Sequence, residues 1–243
     1  MTKPLHAPHR HIDAADEKER FALRLFDQLW ERYRERVSYV QVYERVVREC
    51  TATFVNDHIA YRTIAIQHPA DGIFSLGRLF QALGYSPQAC YEFPDKHLAS
   101  IHFAHPNRNF PKLFVSELKT WELSNNSRRI IRRVLKSRRP PLPDDLLARV
   151  ARLNDAPRAE IDRVLASVLR FFRDLPWDRS RPADVVALDE ESQFGAWVLL
   201  NGYDVNHFTA LVNSHGVPAL ADIEKTVDAL KRAGVPMKKE IEG

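Results

Sequence analysis

The amino-acid sequence predicts an α+β fold, in which two βαβββ-type units form a curved, partly open sheet around a metal site. Three observations predict this fold: segments rich in β-branched and aromatic residues, segments with helical apolar spacing, and a strand–helix–glycine pattern that occurs twice. An N-terminal helical cover and a helical insertion between the two units complete the predicted architecture. The second unit is predicted to be incomplete, because only one strand fits between its helix and Gly243.

The composition is that of an ordinary globular protein. Of the 243 residues, 44% are hydrophobic and 28% are charged, which is unlike a disordered or fibrous chain. No stretch approaches the roughly 18 consecutive apolar residues of a membrane span, and the polar N-terminus lacks the apolar region of a secretory signal. Two cysteines, Cys50 and Cys90, are too few for a disulfide framework or a four-sulfur zinc site. We therefore expect a cytoplasmic protein.

We expect a flexible N-terminus over residues 1–16, followed by a single metal-site domain over residues 17–243. The domain begins with the helical cover, residues 17–50. Apolar residues recur there at spacings of three and four, from Phe21 to Val47, which indicates two amphipathic helices. Such helices typically cover a sheet.

The first βαβββ unit is predicted over residues 54–118. A strand over residues 57–66 precedes a helix over residues 73–83, and Gly84 ends this helix at its C-terminal cap. Three more strands are predicted over residues 89–93, 98–104 and 112–118.

Residues 125–200 are predicted to form a basic helical insertion. Its part from residue 125 to residue 182 carries 15 Lys and Arg against 7 Asp and Glu. Residues 127–139 alternate basic and apolar pairs at helical spacing, and such a run could bind the phosphates of a nucleic acid. More often, the apolar residues of such a run pack inward and its basic residues face water. A basic helical nucleic-acid-binding module is therefore the alternative function, although we consider nucleic acid the less expected partner.

The second unit is predicted over residues 203–243. It has a strand over residues 203–212, a helix over residues 219–233 that Gly234 ends, and the start of another strand over residues 235–241. Because the remaining strands of the unit are missing, we expect the chain to be a fragment of a longer protein.

The two units also carry a histidine at matching positions. His58 lies 26 residues before Gly84, and His207 lies 27 residues before Gly234. Two imidazoles on rigid strands are a plausible metal pair, and with one carboxylate they make the triad typical of non-haem Fe(II) oxygenases. A histidine taken alone is more often an ordinary hydrogen-bonded core or surface residue than a metal ligand.

Arg62 strengthens the case for a site. Since side chains alternate along a strand, Arg62 and His58 face the same side. A metal at His58 could hold one end of a small dicarboxylate while the Arg62 guanidinium binds the other carboxylate. Thr209 shares a face with His207 and could hydrogen bond a ligand, and His102 and Glu117 are weaker candidates.

Three stretches resemble one known family, the bacterial and plant 2-oxoadipate dioxygenase/decarboxylases. They are Asn56–Thr63, Lys112–Leu118 and Asn206–Asn213, and the resemblance runs from about Phe21 to the end of the chain. It implies a core similar to the vicinal oxygen chelate fold of hydroxymandelate synthase.

The resemblance also implies a cofactor and a reaction. It makes His58 and His207 ligands of Fe(II), Arg62 the residue that binds the substrate carboxylate, and a glutamate beyond Gly243 the third metal ligand. The implied reaction converts 2-oxoadipate and O2 into 2-hydroxyglutarate and CO2, a step of lysine catabolism. The implied partners are therefore a small 2-oxo dicarboxylic acid and O2. A catalytically inactive or truncated family member is the other alternative.

Overall fold

The computed structural model describes residues 8–67, 71–139 and 142–237, and within these ranges it contains one five-stranded sheet. The helices are α1 (Glu17–Arg36), α2 (Ser38–Glu49), α3 (Gly72–Ala82), α4 (Asn125–Val134), α5 (Asp144–Ala151), α6 (Arg158–Arg173), α7 (Pro182–Asp189), α8 (Gln193–Asn201) and α9 (Ile223–Arg232). The strands are β1 (Asn56–Ala65), β2 (Ser86–Phe93), β3 (Leu98–Ala104), β4 (Lys112–Lys119) and β5 (Val205–Ala210). Short 3-10 helices lie at Pro94–Lys96, Thr120–Glu122, Leu135–Ser137, Leu153–Asp155, Val212–Ser214 and Pro218–Leu220.

The strand order is β2–β3–β4–β1–β5, which confirms the predicted α+β class. Strands β2, β3 and β4 form an antiparallel meander, and β1 pairs with β4 in parallel after the crossover through α3. Gly84 adopts a φ of 98° where α3 ends, a left-handed conformation that glycine allows without strain. Strand β5 pairs antiparallel with β1, so the two histidine-bearing strands are neighbours.

One face of the sheet is covered by α1, α3, α5 and α6 and forms the main core. Tyr61 of β1 packs there between Phe80 of α3 and Phe172 of α6, with ring centroids 5.0 and 5.4 Å apart. The predicted insertion therefore supplies two helices of this core, α5 and α6.

The other face is covered only at one end among the described residues. There Ile64 of β1 and Leu118 of β4 pack against α4, α7 and α8 in a second cluster. The rest of this face, which we call the open face, carries the two histidines.

The basic segment packs as an amphipathic helix. Ile130 and Ile131 are buried, and Arg133 pairs with Asp184 on α7. Asp184 also accepts hydrogen bonds from Arg181, at 2.9 and 3.0 Å, and these contacts lower the pKa of its carboxyl group. This packing favours the structural interpretation of the segment over a nucleic-acid surface.

The N-terminal segment differs from the expected flexible terminus from residue 8 onward. His9 is 1% exposed, Ile12 is buried, and Asp16 caps α1 by accepting from the Glu19 amide at 2.8 Å. Residues 1–7 of the expected flexible segment lie outside the described residues.

At the other end, residues 235–237 form no strand, and the rest of the strand predicted over 235–241 lies outside the described residues. In the described part of the chain, no helix has both the length and the apolar character needed to cross a membrane.

Candidate metal and substrate site

The histidines predicted as a metal pair lie side by side on the open face. In the β1–β5 ladder His58 is opposite Thr209 and Ala60 is opposite His207, so the two histidines are diagonal neighbours. Their ring centroids are 5.5 Å apart, with 72° between the planes. Two imidazoles that share a metal have centroids roughly 5 Å apart, because each coordinating nitrogen lies about 2.1 Å from the ion. The rings are therefore within joint coordinating reach.

The residue before each histidine fixes its hydrogen-bonding state. His58 Nδ1 donates to Asp57 Oδ2 at 2.8 Å, and His207 Nδ1 lies 2.9 Å from Asn206 Oδ1. Because these oxygens accept, the neutral form of each ring carries its proton on Nδ1 and keeps its lone pair on Nε2. The His58 lone pair accepts from the Thr209 hydroxyl at 2.9 Å. Both rings thus present the same nitrogen, Nε2, as a potential metal ligand.

His207 is neutral at physiological pH. Its side chain is open to a cavity, yet partial loss of water around the ring, together with the neighbouring His58 and Arg62, lowers its pKa to about 4. A neutral imidazole is the form that binds a metal.

Arg62 lies four residues beyond His58 on β1, at a Cα separation of about 13 Å along the strand. Its guanidinium lies over the rings of Phe194 and Trp197, at 4.8 and 5.3 Å from their centroids. Arg62 Nη1 also donates a long hydrogen bond of 3.4 Å to Gln193 Oε1. Partial burial lowers the pKa of Arg62, yet a guanidinium keeps its charge in proteins. The aromatic rings hold this cation in place.

Helix α8 brings these rings to Arg62 because it lies close to the sheet. The Ser192 hydroxyl caps the helix by accepting from the Gly195 amide at 3.1 Å. A Cβ atom at Gly195 would lie 2.8 Å from Leu118 Cδ2 of β4, so a larger residue here would force the Leu118 side chain to move.

A cavity of about 500 Å³ connects Arg62 with His207. Its lining includes Arg62, Lys96, His97, Gln193, Phe194 and His207. The volume lies within the range of about 300–1,000 Å³ that is usual for small-molecule sites. His58 does not line this cavity itself, but its ring lies against that of His207.

The donor set fits two positions of a metal site. Within residues 8–67, 71–139 and 142–237, no group of three or more His, Cys, Asp or Glu side chains could hold a metal. The two Nε2 atoms suit a divalent transition metal, and the third ligand predicted beyond Gly243 stays a prediction.

The weaker candidates serve other contacts. His102 stacks on Phe114 and lies 3.0 Å from the Tyr91 hydroxyl, two strands away from β1. Glu117 accepts from the Ile73 amide at 2.8 Å, at the start of α3.

Sequence reasoning missed the residues that orient the site. Asp57 and Asn206 each directly precede a predicted ligand, and this shared acid or amide was a readable signal. Phe194 and Trp197 have helical spacing, but nothing in the sequence connects them to Arg62, more than 130 residues earlier.

Comparisons with known proteins agree with this architecture. The family model described as 2-oxoadipate dioxygenase/decarboxylase matches residues 25–243. A chloroplastic 2-oxoadipate dioxygenase/decarboxylase of Arabidopsis thaliana is 29% identical over 198 residues, which are 76% of this chain and 46% of that protein. The chain thus spans less than half the length of the curated plant relatives that it matches.

Solved structures have the same fold. A protein of Ralstonia eutropha assigned to the glyoxalase superfamily superposes with a TM-score of 0.82 at 23% identity, over 100% of this chain and 75% of that one. A hydroxyglutarate synthase of Oryza sativa, solved with 2-oxoadipate, gives a TM-score of 0.70 at 23% identity, over 96% and 70% of the two chains.

Proposed function

The chain belongs to the 2-oxoadipate dioxygenase/decarboxylase family, and from this premise we propose that its site oxidatively decarboxylates 2-oxoadipate. The proposed reaction consumes one O2 and gives 2-hydroxyglutarate and CO2, as a step of lysine catabolism. The observation that carries the proposal is the placement of His58 and His207 beside each other, with Arg62 lining the same cavity as His207. A cytoplasmic location stays a prediction.

The two histidines would hold Fe(II) through their Nε2 atoms. The bound iron would supply the one-electron chemistry that O2 requires, together with Lewis acidity toward a 2-oxo acid. Asp57 and Asn206 support this role, since each accepts the Nδ1 proton of its histidine and leaves the ring lone pair on Nε2. We propose that a glutamate beyond Gly243 completes the ligand set.

Arg62 would bind the carboxylate at the far end of the substrate. A guanidinium presents two parallel N–H donors that match a carboxylate. Phe194 and Trp197 contact the guanidinium of Arg62 and restrict its position. The distance between this guanidinium and the histidine pair is therefore restricted too. The site would therefore select a dicarboxylic 2-oxo acid of fitting length.

The charged side chains that line the cavity balance each other. Arg62 and Lys96 line it together with Asp95 and Glu191. Binding of the far carboxylate would therefore depend on direct contact with the Arg62 guanidinium rather than on a general positive charge of the cavity.

The proposal is tested by loading the anaerobic full-length protein, which includes the glutamate proposed beyond Gly243, with Fe(II) and supplying 2-oxoadipate and O2. We expect one CO2 and one 2-hydroxyglutarate for each O2 consumed. Single His58→Ala and His207→Ala variants should lose iron and turnover, while the matched control His102→Ala should keep both. Turnover that survives loss of either histidine would contradict the proposed site. Iron bound through both histidines without O2 consumption would instead indicate the inactive family member.

A further inference from the structure

Asn56 is a buried residue at the point where the two histidine-bearing strands meet. It is 8% exposed and lies two residues before His58. Its side-chain Nδ2 donates to the backbone carbonyl of His58 and to that of Thr209, both at 2.9 Å. One amide thus ties together the residues whose side chains form the His58–Thr209 hydrogen bond.

The register of the ladder changes at the same point. Asn56 is opposite Ala210, whereas His58 is opposite Thr209, so Asp57 is an extra residue in β1. Such a bulge interrupts the ladder and changes the direction in which the following side chain projects. The Asn56 amide supplies hydrogen bonds across this irregularity.

The orientation of Asn56 is set by His9 in the N-terminal segment. Both carbonyls can only accept, so Nδ2 must face them and Oδ1 must face His9 Nε2, 3.1 Å away. The His9 ring is itself held, because its Nδ1 lies 2.8 Å from Asp27 Oδ1 and its backbone amide donates to the same oxygen at 3.0 Å.

This chain of contacts is enclosed by protein. His9 is 1% exposed and packs against Phe26 and Phe208, at 5.9 and 6.4 Å between centroids. Phe208 lies on β5 directly after His207. Helix α1, the N-terminal segment, β1 and β5 therefore meet around one buried hydrogen-bonded group.

We propose that Asn56, held by His9 and Asp27, is a positioning residue that fixes the imidazole of His58. The N-terminal segment from residue 8 would then be part of the machinery of the site. Its consequence for metal binding rests on the proposed function, in which His58 is a ligand. The partners that orient a metal ligand commonly change metal affinity by about 10- to 100-fold when they are removed.

The test uses the full chain with the variant Asn56→Ala and the matched control Thr120→Val. Thr120 donates a buried hydrogen bond of 2.7 Å to the Ala65 carbonyl, at the far end of the same strand. Both variants lose buried hydrogen bonding to a backbone carbonyl of β1 or its partner, so both should lower the melting temperature. Only Asn56→Ala should move the ring signals of His58 in NMR spectra of metal-free, ¹⁵N-histidine-labelled protein.

Calorimetric titration with Co²⁺ gives the second measurement. Asn56→Ala should weaken Co²⁺ binding about tenfold, and Thr120→Val should leave it unchanged. If Asn56→Ala does not fold, His9→Phe removes the donor to Asn56 and keeps an aromatic ring, and His9→Gln keeps an amide donor. We then expect the NMR and Co²⁺ effects in His9→Phe, with recovery in His9→Gln.

The outcomes separate the two proposals. If the wild-type chain binds Co²⁺ no more tightly than His58→Ala, the proposed metal function is wrong, and the NMR signals alone decide the role of Asn56. His58 ring signals that do not move in Asn56→Ala, or in His9→Phe where that variant replaces it, would overturn the positioning role whatever the metal affinity.

Discussion

Replacing Arg62 with alanine should weaken binding of 2-oxoadipate far more than binding of 2-oxohexanoate. The second acid has the same 2-oxo end but carries a methyl group in place of the far carboxylate, so it makes no charge contact with the guanidinium. Removing one partner of a buried charge pair costs about 2–5 kcal/mol. Because Arg62 is only half-buried, we expect the lower end, about 2 kcal/mol, which is roughly a 30-fold loss of affinity.

The assay is calorimetric titration of both acids into the anaerobic, Fe(II)-loaded wild type and variant. Arg78→Ala is the matched control, because Arg78 pairs with Asp144 and does not line the cavity. The quantity that matters is the ratio of the two dissociation constants, which should fall about 30-fold in Arg62→Ala and stay constant in Arg78→Ala. An equal loss for both acids would mean that Arg62 supports the site without binding the far carboxylate.

Three further changes test other contacts of the molecule. Phe194→Leu removes one of the two rings that contact the Arg62 guanidinium, and such a contact is worth about 1 kcal/mol. The affinity for 2-oxoadipate should therefore fall about fivefold. An unchanged affinity would show that this ring is dispensable. Thr209→Val removes the hydroxyl that donates a hydrogen bond to Nε2 of His58. A net hydrogen bond is worth about 1 kcal/mol, so calorimetry should show Co²⁺ binding about fivefold more tightly to this variant. Weaker binding would argue that Nε2 is not the ligand atom. The two arginine partners of Asp184 lower the pKa of its carboxyl group in the folded protein. The ionised carboxylate therefore stabilises the fold at a pH above the pKa of this group in the unfolded chain. This stabilisation is lost as the pH falls through the lower pKa of the group in the folded protein. Urea unfolding of Asp184→Asn should therefore show a smaller loss of stability below about pH 4 than the wild type, and parallel curves would contradict this assignment.

Local patterns in the sequence were enough to predict the sheet and its histidines. Strands are predicted around His58 and His207 from their β-branched and aromatic neighbours, and helix ends are predicted from glycines. Both signals depend only on residues that are close together in the sequence. Gly84 ends α3 as predicted, with a φ of 98°. The same repeat led to the expectation that two distant histidines converge from matching halves of a curved sheet, and the structure places their ring centroids 5.5 Å apart.

The parts that could not be predicted depend on packing between distant segments. Helices α5 and α6 were predicted only as part of a helical insertion, since nothing in their apolar spacing says which surface they bury. His9 looked like one of several polar residues in a flexible terminus, and only the fold brings it to Asn56, 47 residues later. The contact of Arg62 with α8 could not be predicted from the sequence either, because helical spacing does not show which residue a helix packs against.

These distant segments determine different features of the site. The β1–β5 ladder sets the separation of the two imidazoles, while Asp57 and Asn206 choose which nitrogen each presents. Helix α8 lies outside that ladder and fixes the other end of the cavity through its contacts with Arg62. The distance between the histidine pair and the cation therefore depends on how α8 packs on the sheet. Substrate length can then change through this packing while both histidines stay in place, so affinity for the metal and selectivity for the acid should respond to different sets of substitutions.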